Sequence, residues 1–144
     1  MNYSSEFKED SQTYARTGCG ALDYYYEAIQ VNVAQSSYYN IYSAIGSHPY
    51  GYIYKDNFSP FNPSINIYLE NYDGCASAYR FKFFTHLESN TTYILVVTTF
   101  FPRVRGAFLI IVFGPKNVTL KRLSEYIFAI FSIITRERRN LVNV

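Results

Sequence analysis

The sequence predicts an all-β fold, an antiparallel β-sandwich or barrel followed by a C-terminal helical segment. Three observations carry this. Tyr (16) and Phe (12) are abundant and Trp is absent, and aromatic and β-branched residues suit a pleated, half-buried surface. Apolar residues recur at alternate positions over short runs, the period of a strand. Gly, Pro, Asn and Asp clusters separate those runs at the turn spacing of an all-β domain. At 144 residues the chain falls in the one-domain range and can build a core without metals or many disulfides.

Residues 1–20 are polar and without period, and read as a mobile lead-in. In "DYYYEAIQVNV", Ile29, Val31 and Val33 fall on one face and Ala28, Gln30 and Asn32 on the other. "YYNIYS" follows with Tyr39 and Ile41 aligned, and "YGYIY" with Tyr50, Tyr52 and Tyr54. "SPFNPS" is loop chemistry, because Pro60 and Pro63 each remove a ladder donor. Ile65, Ile67 and Leu69 then alternate, and "ENYDG" turns the chain. Phe81, Phe83 and Leu87 oppose Arg80, Lys82 and His86. Tyr93 to Val97 is apolar on both faces, the mark of a central strand covered on both sides. "AFLIIVFG" is closed by Gly114 and Pro115. The expectation is seven strands within a domain spanning 21–118.

From 119 to 144 the pattern changes. Leu120, Leu123, Ile127, Ile130 or Phe131, and Ile134 stand at helical spacing, with Arg residues in the last turn where they suit the helix dipole. A strand from Tyr126 to Ile134 is the alternative. The longest apolar run, Tyr126 to Ile134, falls short of the roughly 18 residues needed to span a bilayer. "MNYSSEFKED" shows no secretory signal.

The net charge is +2, and it is uneven. From Leu120 onward five basic residues face Glu125 and Glu137, leaving eight basic against nine acidic residues before it. A near-neutral body with a basic tail argues against nucleic-acid binding, which needs a basic face on the folded domain. Contact of the apolar-and-basic tail with an anionic membrane is conceivable, but packing on the domain or on a neighbouring module is the preferred expectation.

The order of these elements resembles the pre-peptidase C-terminal type of β-sandwich, a jelly-roll-like module, over about Ala21 to Val118. The matching stretches are Tyr52 to Tyr54, Asn71 to Gly74, Leu87 to Val97 and Gly106 to Val112. The wording is also similar to Tyr- and Asn-rich modules of large extracellular proteins. The resemblance implies an accessory domain that attaches to extracellular polymers, with calcium in some members at the acidic turn. Here that turn reads "ENYDG", with Glu70 and Asp73 apart where the family often has adjacent acids.

Candidate chemistry is sparse. His48 lies in a Gly/Pro turn and His86 on a polar strand face, and no nucleophile elbow or phosphate loop is present, so no enzyme is expected. Tyr50, Tyr52 and Tyr54 form either a ligand platform for sugar rings or a row of core residues, with core favoured. No cofactor is expected, and a calcium site would draw on Asp56, Asn57, Glu70 and Asp73. Cys19 and Cys75 are either one disulfide or two free thiols. Asn2, Asn57, Asn90 and Asn117 begin Asn-x-Ser/Thr triplets, and the last three fall at turns or strand boundaries where a glycan is tolerated. The resulting expectation is a non-catalytic extracellular or lumenal recognition or adhesion module, binding carbohydrate, a matrix polymer or an extracellular protein. The alternative is a structural spacer between neighbouring modules.

Overall fold

The structure is a computed structural model and describes residues 1–16, 23–45, 49–70, 80–123 and 138–139. These hold eleven strands: β1 (Asn2–Phe7), β2 (Thr13–Tyr14), β3 (Tyr24–Tyr25), β4 (Glu27–Val33), β5 (Ser37–Ile45), β6 (Pro49–Lys55), β7 (Ile67–Glu70), β8 (Lys82–Leu87), β9 (Tyr93–Thr99), β10 (Gly106–Phe113) and β11 (Val118–Arg122). A four-stranded sheet runs β1-β10-β5-β8, a five-stranded sheet runs β11-β4-β9-β6-β7, and β2 pairs with β3 in a small ribbon. Every pairing is antiparallel. The all-β expectation holds, and the seven strands expected from the sequence are β4 to β10.

Alternation decides what each strand buries. Tyr39 and Ile41 of β5, Phe83 and Leu87 of β8, and Phe108, Ile110 and Val112 of β10 share one core with Ile29 and Val31 of β4, Ile53 of β6, and Tyr93, Leu95 and Val97 of β9. The two sheets therefore bury facing sides against each other. The packing is tight enough to dictate glycine at two places. A Cβ on Gly51 would stand 2.9 Å from the Phe81 ring, and one on Gly114 would stand 2.1 Å from Cδ1 of Tyr39. Real Cβ atoms do not approach so closely, and a close-packed interior has little slack.

The other face of the five-stranded sheet is buried as well. Tyr50, Tyr52, Tyr54, Ile94, Val96 and Ala28 project there, and join Tyr14 and Tyr24 of the ribbon, Tyr26, Phe58 and Leu123 in a second core. This is why all seven residues of β9 are buried and six of seven in β6. A strand covered on both faces needs no polar alternation.

Three expectations need correction. Residues 2–7 are not part of a mobile lead-in but the edge strand β1, paired with β10 along its length. Its inward residues Tyr3 and Ser5 are polar because they meet the carboxylate of Glu27, so no apolar period shows in the sequence. Ile65 lies in the turn before β7 and is exposed. Residues 119–122 belong to β11, paired with β4, rather than to the start of a helix. Leu120 packs on the first core and Leu123 on the second. A spacing of three puts two residues on one side of a helix but on opposite sides of a strand. The rest of the expected helix, and its strand alternative from Tyr126, lie outside the described residues apart from Arg138 and Arg139. Among the described residues no helix is long and apolar enough to cross a membrane.

Candidate recognition surface

The expected site residues do not converge. Tyr50, Tyr52 and Tyr54 are buried in the second core, so the platform reading is corrected and the core reading stands. The Tyr54 hydroxyl donates to the Pro63 carbonyl, and burial pushes the pKa values of Tyr52 and Tyr54 well above the usual tyrosine value. For calcium, Asp56 follows the end of β6 whereas Glu70 pairs with Tyr52, four positions earlier on that strand. That separates them by about 13 Å along the strand direction. Asp73 lies outside the described residues, as do Cys19, Cys75 and His48. Among the described residues no group of three or more His, Cys, Asp or Glu could hold a metal ion.

The Asn-x-Ser/Thr positions are placed as their turn chemistry suggests. Asn90 is exposed in the β8–β9 turn with φ 64°, a left-handed conformation that Asn tolerates. Asn117 is exposed before β11, where its carbonyl accepts from the Ala34 N–H. Asn57 is half-buried after β6, and Asn2 is exposed on β1.

The exposed aromatic residues lie elsewhere, on the outer face of the four-stranded sheet. Because Tyr39, Ile41, Phe83, Val112 and their alternates point inward, Tyr38, Asn40 and Tyr42 of β5, Phe84 and His86 of β8, and Ile111 and Phe113 of β10 point outward. The register aligns them across strands. Phe113 is opposite Asn40, and Asn40 is opposite Phe84; Tyr38 is opposite His86. Tyr38, Phe84 and Phe113 are 57%, 66% and 69% exposed. The Tyr38 and Phe84 rings stack at 5.2 Å, and the His86 ring meets Tyr38 edge-on at 5.3 Å. Two strand spacings, roughly 10 Å, separate Phe113 from Phe84, with the half-buried Asn40 amide between them.

At the β8 edge, Tyr68 of β7 links the two sheets, donating its hydroxyl to the His86 carbonyl at 3.0 Å while its ring lies beside inward-facing Tyr93. Chemically the face offers ring surfaces, one amide that both donates and accepts, an imidazole and the Lys82 ammonium. Sequence reasoning misses it because Phe84 shares its strand face with Lys82 and His86, which read as a polar side. The available signal was phase: Tyr38, Phe84 and Phe113 fall out of step with the apolar residues of their own strands.

Comparison of the chain with protein families, curated proteins and solved structures finds no match.

Proposed function

We propose that this protein is a non-catalytic recognition module that binds a carbohydrate chain or similar matrix polymer on the outer face of its four-stranded sheet. The observation that carries the reading is the row Phe113–Asn40–Phe84 with Tyr38 stacked beside it, three large rings more than half exposed on three adjacent strands. Isolated exposed aromatics need no explanation, but a contiguous exposed patch marks an interaction site. Exposed rings beside an amide suit sugar rings, which have apolar faces and hydroxyl rims.

The scaffold we propose is a jelly-roll β-sandwich, in the manner of the pre-peptidase C-terminal modules the sequence resembles. The strand orders β1-β10-β5-β8 and β4-β9-β6-β7 support it, since successive strands from β4 to β6 and from β7 to β10 cross between two sheets as in paired Greek keys. The setting we propose is extracellular or lumenal, supported by the turn placement of Asn57, Asn90 and Asn117. The second reading, a structural spacer, rests on the same face, because a neighbouring module could cover an apolar wall equally well.

A glycan array probed with the purified protein tests this. Selective binding to one glycan class, weakened at least tenfold by Phe84→Ala and by Phe113→Ala with unchanged melting temperature, is the expected result. Absence of any selective glycan, or binding by both variants as tight as that of the unmodified protein, rejects the recognition reading and leaves the spacer.

A further inference from the structure

The outer face of the four-stranded sheet carries charge of one sign beside its rings. The outward positions of β5, β8 and β10, which hold the exposed aromatics, include no carboxylate. They include one ammonium, Lys82, which is opposite Tyr42 and lies two residues from Phe84 on the same side of β8, about 7 Å along the strand. Arg80, also exposed, precedes it across the buried Phe81. At the other end of the row, Lys116 is exposed and lines one groove with Phe113. Among the described residues none of these three cations makes an ion pair.

The acids stand outside the row. The four strands of this sheet hold a single carboxylate, Glu6, which is opposite Ala107, six positions or about 20 Å along β10 from Phe113. Glu88 follows the end of β8, four residues past Phe84. The face therefore has a positive field that no acid within the row cancels, and such a field concentrates anions.

The rings and the cations act on different parts of a sugar. A pyranose packs its apolar face on an aromatic ring and carries its substituents at the rim. With one sugar against Phe84 or Phe113, a carboxylate or sulfate at its rim meets the sweep of the Lys82 or Lys116 stem, which is long and flexible. A neutral chain gains nothing from these ammonium groups.

We propose that the polymer recognised on this face is an anionic polysaccharide, its sugar rings on Phe84 and Phe113 and its carboxylate or sulfate groups on Lys82 and Lys116. This rests on the recognition reading above and narrows it to one charge class.

The experiment measures binding of the whole protein to two matched pairs: polygalacturonate and its methyl ester, dextran sulfate and dextran. One charged member should bind roughly tenfold or more tighter than its neutral counterpart, and which one does so separates carboxylate from sulfate. Lys82→Gln should weaken that binding by about two- to fivefold, and Phe84→Ala should weaken it further. Lys121→Gln removes an exposed cation from β11 of the other sheet and should change nothing. A neutral member bound as tightly as its charged partner, and lost in Phe84→Ala, overturns the charge assignment and leaves the recognition reading standing. Charged-polymer binding that survives Phe84→Ala, or that falls as much in Lys121→Gln as in Lys82→Gln, is general attraction and overturns the site. Oligothymidylate bound as tightly as the charged polysaccharide overturns the polysaccharide assignment, because bases also stack on rings. No binding to either charged polymer overturns the proposal, while the glycan array still decides the recognition reading.

Discussion

Glu27→Gln is expected to cost the protein about 3 kcal/mol, by detaching β1 from the five-stranded sheet. Glu27 is 5% exposed, and its carboxylate accepts the Tyr3 hydroxyl at 2.7 Å and the Ser5 hydroxyl at 2.9 Å. Both donors come from β1, so one side chain ties the N-terminal strand to β4. The amide replaces one acceptor oxygen with a donor, which leaves one hydroxyl facing the wrong partner. The surviving bond loses its charge. A hydrogen bond to a charged group contributes about 1.5–3 kcal/mol and a neutral one about 1 kcal/mol, so one loss plus one weakening comes to about 3 kcal/mol. The Arg122 Nε contact at 3.2 Å adds little, because that guanidinium is 66% exposed and screened. The assay is urea unfolding, read as a shift in midpoint at constant slope. Tyr3→Phe should cost about 2 kcal/mol, and the double variant should fall short of the sum by about 1 kcal/mol or more, because both changes remove one bond. A Glu27→Gln variant within about 0.5 kcal/mol of the parent, or an additive pair, refutes the clasp.

Other outcomes follow from the packing. Tyr3, Tyr14, Tyr52 and Tyr54 all have pKa values raised by burial. A raised value favours the neutral phenol in the folded state, so the stabilisation is complete below the unfolded-state value near 10 and fades as pH climbs above it. Urea midpoints should hold steady from pH 7 to about 9.5 and then fall, and a flat profile through pH 11 would contradict the burial of these hydroxyls. Gly114→Ala should destabilise by about 1–3 kcal/mol, since its methyl group must displace the Tyr39 ring; calorimetry showing no change would mean that ring is not where it is described. Tyr52→Ala should cost about 3–5 kcal/mol or prevent folding, while Phe84→Ala should stay within about 0.5 kcal/mol. Similar losses in the two variants would erase the distinction between core and outer face.

Much of the strand framework was legible because period two survives in a half-buried strand. Ile29, Val31 and Val33 show it plainly, as do Phe81 and Phe83. Two of the edge strands, β1 and β11, were not legible, for different reasons. In β1 the inward positions carry Tyr3 and Ser5, whose polarity is explained only by a carboxylate far along the chain. At β11, Leu120 and the Leu123 just past its end mimic a helical stripe although the two side chains enter different cores. The site was less legible still. The Tyr50, Tyr52, Tyr54 alternation announces a face but not whether that face is covered, and the covering residues Tyr14 and Tyr24 are distant in sequence.

The sequence by itself determined that the chain is all-β, where seven of its strands run and which of their residues share a side, because alternation is a local property of an extended backbone. Only the tertiary structure decided that β6, beside the doubly covered β9, is also buried on both sides while the four-stranded sheet shows its aromatic face to solvent. Burial is set by what packs against a face, and the residues that do so here come from the ribbon and from the loop after β6. The same applies to Arg16: its place in the chain says nothing, and it is buried because the rings of Tyr24, Tyr50 and Phe100 closed around it.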